Sequence, residues 1–419
     1  MSQNFKRFTV LWMGQLVSAV GSGLTSFGLG VYVFQQTGSA AGMALITLLG
    51  FLPTLVLSVP AGVLADRFDR RTLMMLGDGL SGLGILFILI RMLQGGATVG
   101  EIAAGVCVSA VFSSLLEPAY KATVTDLLTE QEYSKAGGLV SLAGSARYLI
   151  SPLVAGLLLP VGGIKLLLVI DLCTFGFTVL STFAVKRGIR TQRNAREESF
   201  GESLRQGWKT IRSRRGVFLL VAVSSLLTLF VGVFQVLAEP LVLSVSDAKT
   251  LGIVETVCAS GMLVSGLYLG VRGIRSGYVR VLGVSLAVAG AFIIGFGSFH
   301  SIVWVAAAGF GFFAMLPFAN NCLDVLVRSN IPAELQGRVW GIVGFLSQIG
   351  YVVAYGASGV LADAIAAAGN VGVGRGSGIV IAVSGAALIL VACGMMSVRE
   401  IRALEGKGGA RLVVETAEK

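Results

Sequence analysis

Four ionisable side chains lie within or beside long apolar stretches of the sequence, where little water is available to stabilise a charge. They are Arg147, Asp171, Glu239 and Glu255. Ionisable groups at bilayer depth are expensive, so they tend to mark ion pathways, proton relays or fixed pairs. A desolvated carboxyl group can exchange protons near neutral pH. We therefore predict that these residues couple the movement of a proton to another process.

Arg147 and Asp171 fall in neighbouring apolar stretches. Their depths should differ by roughly 6 Å, at about 1.5 Å of helix rise per residue. An arginine side chain spans that distance, so the sequence predicts a direct Arg147–Asp171 ion pair. Two roles for the pair stay open, a fixed structural contact and a proton-coupling element. Asp78, in an earlier apolar stretch, is interpreted as a packing or gate residue.

Glu239 and Glu255 are the candidates for proton uptake from the outer side. Glu239 stands before Pro240, a residue type that can end a helix, and Glu255 lies inside the next apolar stretch. For both residues, the alternative is a charge that stays solvated at the membrane interface.

Residue content argues against several other chemistries. His300 is the only histidine, and the five cysteines fall in or beside apolar stretches without a short metal-ligand spacing. We expect buried structural thiols and no metal site. A catalytic Ser–His or His–Asp arrangement is possible only if His300 itself takes part. The sequence contains no G-x-x-x-x-G-K-S/T phosphate loop. The chain is therefore predicted not to be an enzyme.

The elements that must position these residues are membrane spans. Of the 419 residues, 55% are apolar and 13% are charged, against roughly a quarter charged in a soluble domain. Such a chain cannot cover its surface with polar groups, so lipid must be its solvent. The 57 glycines agree with this, because glycine is frequent in membrane helices and lets them approach closely.

Apolar windows predict an all-α membrane protein with twelve spans. The first six lie at about 8–33, 41–64, 72–93, 99–120, 136–160 and 165–185. The second six lie at about 216–242, 250–271, 279–298, 301–323, 338–363 and 377–397. The predicted organisation is an N-terminal half (1–185), a basic linker (186–215), a C-terminal half (216–398) and a tail (399–419).

The basic residues predict the orientation of the spans. With the N-terminus inside, 27 of the 32 Lys and Arg residues fall on inner segments, as the positive-inside rule requires. We therefore expect both termini in the cytoplasm and a location in the bacterial inner membrane. The lipid bilayer is the expected partner. Nucleic acid is not expected as a partner, because the basic residues do not gather on a soluble module. The chain is expected to be a monomer.

The basic linker contains a predicted amphipathic helix. Apolar side chains recur at helical spacing and alternate with basic ones at Leu204, Arg205, Trp208, Lys209, Ile211 and Arg212. This pattern is typical of a helix on the membrane surface. The alternative is a binding site for a cytoplasmic partner.

A loop between the second and third spans carries the most specific motif. It runs from Gly62 to Arg71 and reads Gly-Val-Leu-Ala-Asp-Arg-Phe-Asp-Arg-Arg. It resembles the G-x-L-a-D-r-x-G-r-r/k signature of the major facilitator superfamily, with Asp69 in place of the later glycine. A degenerate copy, Gly266–Gly273, follows the eighth span. The resemblance implies two pseudo-symmetric six-helix halves related as parallel repeats.

The motif predicts an inner gate. Asp66, held by Arg70 and Glu117, would bridge the two halves or meet the start of the eleventh span near Gly337 and Arg338. The alternative is that the arginines act only as topology signals. The predicted gate comprises Gly62, Asp66, Arg67, Arg70, Arg71 and Glu117.

Other segments resemble the macrolide-efflux branch of this superfamily and siderophore exporters of the enterobactin type. They are Trp12–Gln15, Thr37–Ser39, Gly50–Pro53, Ile150–Pro152, Ala259–Leu263, Leu335–Val339 and Arg399–Leu404. The resemblance implies export of small amphiphilic molecules in exchange for protons, with the proton gradient as energy source and no cofactor. The alternatives are an importer or a lysolipid-moving member of the same fold and, more remotely, a membrane receptor or enzyme without transport.

The fifth span is similar to the g-x8-G-x3-G-P-x2-G-G motif of drug–proton antiporters. Matching residues are Gly138, Pro152 and Gly156, and departures are Arg147, Ser151 and Ala155. Small residues at two of the departures preserve close helix packing, whereas Arg147 does not fit that role.

The resemblance also implies that spans one, four, seven and ten line a central cavity. The polar candidates for substrate contact are Gln15, Ser18, Ser22, Thr25, Gln235, Asn320, Asn321 and Asp324. The aromatic candidates are Phe27, Phe34, Phe230 and Phe234.

Overall fold

The computed structural model describes residues 3–186, 208–298, 301–331 and 336–405, and this part of the chain contains helices and no β-strand. The prediction of an all-α membrane fold is confirmed. His300 and the linker residues Leu204 and Arg205 lie outside the described residues.

The helices of the N-terminal part are α1 (Gln3–Thr37), α2 (Ala40–Arg67), α3 (Arg70–Leu93), α4 (Val99–Ser113), α5 (Leu116–Leu127), α6 (Glu130–Leu149) and α7 (Ser151–Lys186). Those of the C-terminal part are α8 (Arg215–Leu243), α9 (Ala248–Arg272), α10 (Tyr278–Ser298), α11 (Ile302–Ser329), α12 (Gln336–Ala368) and α13 (Val373–Ser397). The predicted fourth span is divided between α4 and α5, which together extend to Leu127.

In the described ranges, eleven helical stretches are long and apolar enough to cross a membrane. One of them, Ala136–Val185, has 50 residues, and a straight helix of that length would measure about 75 Å, against a hydrocarbon core of about 30 Å. Its regular geometry is interrupted at Gly163, where φ is 62°.

The contacts of α1 show that the chain reverses direction near Gly163. Trp12 donates a hydrogen bond to the carbonyl of Leu139, and Val20 accepts one from Ser151, so α1 runs parallel to this part of the chain. Thr178 then donates to Gly14, and Ser22 to Asp171, which is the antiparallel order. The long stretch therefore contains two crossings, which brings the number within the described ranges to twelve.

Polar side chains mark several helix starts. Ser39 accepts a hydrogen bond from the Gly42 amide at the start of α2. Thr98 and Glu101 form a reciprocal capping box at α4. These side chains satisfy amide groups that a first helical turn leaves without intrahelical partners.

The described helices group into two compact units. The first unit is Met1–Arg196 with Val245–Thr256, and the second is Glu197–Ser244 with Val257–Lys419. Unlike the predicted halves, the first unit includes the beginning of α9. The predicted boundary at the linker stays a prediction.

The second unit is centred on aromatic packing. Phe234 lies 4.5 Å from Phe296, 4.7 Å from Phe312 and 5.7 Å from Phe313, measured between ring centroids. Phe230 and Phe234 are 5% and 3% exposed. They are core residues, so the prediction that they contact substrate is wrong. Phe27 is likewise buried, in the first unit.

The short helix 208–213 packs against the protein. Ile211 is fully buried, and the Trp208 ring meets Phe218 of α8 edge-on at 6.5 Å. The apolar face predicted to lie on the membrane is thus at least partly covered by α8.

The cysteines do not share one environment. Cys258 and Cys322 are buried, whereas Cys173 and Cys393 are exposed. The prediction of uniformly buried thiols is therefore wrong, because apolar helices also present sides that face away from the protein.

Candidate functional site

The inner loop motif is organised by Arg70, whose strongest partner is Asp126 of α5. The guanidinium Nη1 lies 2.6 Å from Asp126 Oδ1, and both side chains are 14% exposed. Arg70 also donates to the carbonyl oxygens of Ala122 and Ala65. Its separation from the carboxylate of Asp66 is longer, at 4.0 Å. Arg70 thus ties the end of α2 and the start of α3 to the end of α5.

Sequence reasoning missed Asp126 because the fourth span was predicted to end at residue 120. The helical residues beyond that point were read as a loop. The available signal was the acidic residue itself, which lies on the same inner side as the arginines of the motif.

Asp69, which replaces the glycine of the family signature, caps α3. It accepts a hydrogen bond from the Thr72 hydroxyl at 2.8 Å and a longer one from the Arg71 amide at 3.4 Å. The flanking Phe68 is extended, with φ at −108°, and Asp69 itself has φ at −62°. Neither φ angle lies in the region that favours glycine, so Asp69 fits the turn in place of the glycine of the family signature.

Glu117 does not contribute as predicted. Its carboxylate lies 2.6 Å from the Lys121 ammonium, and both side chains are well exposed. Asp66 is 71% exposed, and Arg67 is also exposed, whereas Arg71 is buried. A Cβ on Gly62 would meet no atom within 4 Å, so packing does not require glycine there.

Arg147 and Asp171 do not form the predicted ion pair. Asp171 is 1% exposed and accepts hydrogen bonds at 3.4 Å from the hydroxyls of Ser22 and Thr174. Arg147 is exposed and donates to the Ser26 hydroxyl at 3.3 Å. Both side chains bind α1, one helical turn apart, and the prediction of a direct pair is wrong.

Asp78 lies fully buried in the same unit as Asp171. Neither of its carboxylate oxygens has a hydrogen-bond partner among the described residues. Its helix packs against α7 next to Asp171, since Leu172 and Phe175 lie 3.7 Å from the Cβ position of Gly82, one helical turn from Asp78. Sequence reasoning treated Asp78 as a packing or gate residue and missed this proximity. A signal was present, since Asp78 is the only acidic residue within α3.

The predicted substrate residues of α1 face the protein interior. Ser18 and Thr25 are 6% and 4% exposed, and Ser22 binds Asp171. Gln15 is half-buried, and its amide nitrogen has no hydrogen-bond partner in the described part of the chain. The prediction that this stripe lines an open cavity is wrong for Ser18 and Thr25.

The second unit contains a cavity of about 110 Å³ between α8, α11 and α12. Asp324 contributes a carboxylate to its wall, next to Trp340. The paired hydroxyls of Ser224 and Ser347, 2.9 Å apart, add polar groups, and aliphatic side chains complete the lining. Asp324 therefore lies in the wall of this small cavity, and its predicted role in a central substrate cavity stays a prediction. Trp340, Ser224 and Ser347 were not predicted.

Other predicted polar residues of the second unit lie elsewhere. Asn320 and Asn321 are exposed and do not line this cavity. Gln235 accepts a hydrogen bond from the Tyr355 hydroxyl at 2.8 Å, which joins α8 to α12. Glu239 is half-buried, and its helix continues through Pro240 to Leu243, so the proline does not end α8.

The antiporter-like motif forms a close helix contact inside the first unit. A Cβ on Gly156 would lie 2.8 Å from the carbonyl oxygen of Ala248 in α9, which is too close for any residue but glycine. Thr256 of α9 also donates to the Leu149 carbonyl at 3.1 Å. Gly138, in contrast, has open space around it.

Glu255 lies in the same part of α9. It is half-buried, and no hydrogen bond or ion pair to it is formed by the described residues. Its proposed role in proton uptake stays a prediction.

Comparison with known proteins identifies relatives along most of the chain. The sequence model of the Major Facilitator Superfamily matches residues 11–355. Macrolide efflux protein A of Streptococcus pyogenes is 27% identical over 374 residues, which cover 86% of this chain and 90% of that protein. The enterobactin exporter EntS of Shigella flexneri is 28% identical over 158 residues, or 38% of each chain.

Among solved structures, a mutant of the nucleoside transporter NupG has a similar fold. The TM-score is 0.75 at 13% identity, and the match covers 93% of this chain and 99% of that one. At this identity the likeness concerns the fold alone.

Proposed function

The chain belongs to the Major Facilitator Superfamily and is a multi-pass membrane transporter, and from that premise we propose that it exports small amphiphilic molecules in exchange for protons. Cargo of this kind includes macrolide-like antibiotics and siderophores. Transport would proceed by alternating access between the two sides of the bacterial inner membrane.

The observation that carries this proposal is the similarity to macrolide efflux protein A over 86% of the chain. The fold does not specify direction or cargo, since members of one fold serve many functions. Efflux relatives that match nearly end to end favour export over the other activities that the fold supports.

The cavity of the second unit supports an amphiphilic cargo. One wall offers the Asp324 carboxylate, and Trp340 provides an indole ring over which Arg328 stacks at 5.8 Å. The remaining lining is aliphatic, apart from the hydroxyls of Ser224 and Ser347. Small apolar pockets with a few convergent polar groups are typical ligand sites. A volume of about 110 Å³ suits one group of a cargo molecule rather than the whole.

The inner loop supports a gate. Arg70 is committed to Asp126 and to two carbonyl groups, which leaves Asp66 largely exposed beside it. An exposed carboxylate held next to a fixed arginine can form and break a further contact during the transport cycle. A reversible gate requires such a fixed arginine and an acidic group that it holds only loosely, as Arg70 holds Asp66 at 4.0 Å.

The experiment is an efflux assay in bacteria that lack their own drug pumps. Cells that express the protein are loaded with a radiolabelled macrolide, with ethidium or with a catecholate siderophore, and accumulation is followed with and without a protonophore. The expected result is lower accumulation of at least one compound, abolished by the protonophore. Higher accumulation would instead support an importer, and unchanged accumulation of all three would contradict efflux.

Two variants test the gate in the same assay. Asp66→Asn is expected to reduce efflux at normal membrane abundance, because it removes the charge without changing the shape. The matched control is Glu400→Gln, which neutralises an exposed carboxylate near the end of the described chain. If Asp66→Asn lowers abundance instead, the loop acts as a folding or topology signal.

A further inference from the structure

We propose that Asp78 and Asp171 together form a proton-carrying site inside the first unit. The inference rests on the proposed function, since a proton carrier at this place is useful only to a transporter driven by protons. Asp78 then has a role in proton transfer, and Asp171 works with Asp78 instead of the predicted partner Arg147.

Burial is the first observation. Asp78 and Asp171 are 0% and 1% exposed. Both oxygens of Asp78 and the Oδ2 atom of Asp171 lack a hydrogen-bond partner in the described part of the chain. A carboxylate ion so placed is strongly unfavourable unless it is paired, hydrogen-bonded or protonated.

The hydroxyl of Thr25 belongs to the same site. The Thr25 side chain is 96% buried and lies against Asp171. Its hydroxyl is available to follow a change in the charge of the neighbouring carboxyl group.

Hydrogen bonds prepare one member of the pair for the charged state. The Ser22 hydroxyl donates to Oδ1 of Asp171 at 3.4 Å. The Thr174 hydroxyl donates to the Asp171 carbonyl at 2.7 Å and reaches the same Oδ1 atom at 3.4 Å. Glycine at position 21 brings α1 this close, because a Cβ there would lie 2.9 Å from that same oxygen. Asp171 is thus arranged to hold a negative charge, whereas Asp78 has no donor and is arranged to hold the proton.

Among the described residues, neither carboxyl group has a cation within ion-pair distance. Arg147 of α6 acts on Asp171 through space, but its guanidinium is exposed and bonds to Ser26.

The other ionisable groups on helices packed against α3 are engaged elsewhere or exposed. The pairs are Glu101 with Arg91, Glu117 with Lys121 and Asp126 with Arg70. Asp66 and Arg67 of α2 are exposed at the end of their helix. Tyr120 of α5 is buried in the apolar cluster at the inner end of the unit, with Met74 and Phe8.

The site therefore works with one proton for two carboxyl groups. With both groups ionised, two buried negative charges would lie without an ion-pair partner among the described residues. A proton that leaves Asp78 and is taken up by Asp171 keeps the net charge of the two groups unchanged. Since the two carboxyl groups form no direct hydrogen bond, this transfer requires a side-chain movement or an intervening water. Exchange with water on one side and then on the other carries one proton inward for each cycle.

The ligand is a proton rather than a sodium ion. Sodium requires several oxygen lone pairs directed at one centre, as other hard cations do. Here the hydroxyls of Ser22 and Thr174 act as donors to Asp171, so they stabilise a charge already on the protein.

Carbodiimide labelling tests the site without any knowledge of the cargo. Purified full-length protein in liposomes is treated with dicyclohexylcarbodiimide, which modifies protonated carboxyl groups in apolar surroundings, at several pH values between about 6 and 9. Mass spectrometry then locates the label. We expect modification at Asp78 or Asp171 at least tenfold faster than at exposed Glu117, slowing as the pH rises and lost in Asp78→Asn. Sodium chloride in place of choline chloride should have no effect.

Three results would overturn the proposal. Label confined to exposed carboxylates would show that the pair does not hold a reactive proton. A labelling rate at Asp78 or Asp171 that does not change with pH would also show that the pair does not hold a reactive proton. Protection by sodium would replace the proton with a metal ion.

A transport measurement separates this proposal from the proposed function. Asp78→Asn and Asp171→Asn are expected to lose protonophore-sensitive efflux at least tenfold while exchange of labelled for unlabelled macrolide across the membrane persists. Glu400→Gln serves as the control. If the wild type shows protonophore-sensitive efflux and both variants show the same efflux, the proton-carrying site is refuted and the proposed function stands. Positive labelling without efflux of any compound supports the site and refutes the function.

Discussion

The interiors of the two units differ in kind. The first unit buries three charged side chains, Arg71, Asp78 and Asp171, together with a series of Ser and Thr hydroxyls. In the described part of the second unit the buried polar residues are serines and one asparagine, around the aromatic group of Phe234, Phe296, Phe312 and Phe313. In the proposed mechanism, the interior of the first unit carries a proton, whereas the interior of the second unit supports the cargo pocket through rigid packing.

The largest effect on stability should come from the aromatic interior. Phe312→Ala removes a fully buried ring from contact with Phe234 and Phe313, and should lower the free energy of unfolding by about 3–5 kcal/mol. Thermal unfolding in detergent and membrane abundance measure it. Asp78→Asn should be far milder on both readouts. A loss as large as that of Phe312→Ala would mean that Asp78 has a structural role, and the contrast between the units would fail.

The inner loop of the first unit should show the next largest effect. Arg70→Ala removes the bonds to Asp126 and Ala122 and leaves a mostly buried carboxylate without its partner. We expect a loss of about 2–3 kcal/mol. The control Arg67→Ala changes an exposed side chain and should stay within about 0.5 kcal/mol. Equal effects of the two variants in chemical unfolding would indicate that the arginines act only through their charge.

A smaller effect is expected where α9 meets α7. Gly156→Ala places a Cβ 2.8 Å from the Ala248 carbonyl, which should cost about 1–3 kcal/mol through overpacking and reduce transport. Gly144→Ala is the control, because nothing lies within 4 Å of its Cβ position, and it should be neutral or slightly stabilising. Comparable loss in both variants, measured by thermal unfolding, would assign the effect to helix flexibility instead of the close contact.

The smallest effect concerns the start of α9, the segment that groups with the first unit. The Thr250 amide donates to the exposed Asp247 carboxylate at 2.8 Å, and this lowers the pKa of Asp247. A lowered pKa means that the stabilisation is present above the ordinary value, about 3.9, and is lost as the pH falls through the folded value. Asp247→Ala should cost about 0.5 kcal/mol at neutral pH.

The pH dependence provides the check on this cap. The difference between wild type and Asp247→Ala in thermal unfolding should shrink as the pH falls through the lowered pKa of Asp247, because the protonated side chain loses its charge. Asp247→Asn keeps a capping oxygen and should remain close to wild type at neutral pH. A difference that does not change with pH would show that the charge of Asp247 contributes nothing to the cap.

Much of the fold followed from the sequence, and less of the site did. The length of the apolar stretches predicted the spans, because a helix must be long enough to cross a bilayer of fixed thickness. It failed at the fourth span, where α5 continues to Leu127, and the missed residues included Asp126, the main partner of Arg70. The loop motif was located correctly, but Glu117 pairs with Lys121 instead of Asp66.

The charged residues show why contacts were harder to predict. Arg147 and Asp171 were placed at compatible depths, yet one is exposed and binds Ser26 while the other is buried and binds Ser22. Depth is set by position along the chain, whereas a contact also requires that two helices turn the right faces towards each other. A membrane helix is apolar on all sides, so its sequence period does not reveal that face.

By itself, the sequence determined that lipid is the solvent, how many times the chain crosses it and which family motif connects the second and third spans. These are properties of composition and of order along one dimension. Tertiary structure alone decided that Asp78 and Asp171 share one interior, that Phe234 belongs to a core, and that Gly163 reverses the chain. Such relations depend on the rotation and close packing of helices distant in sequence, which small residues permit but do not specify.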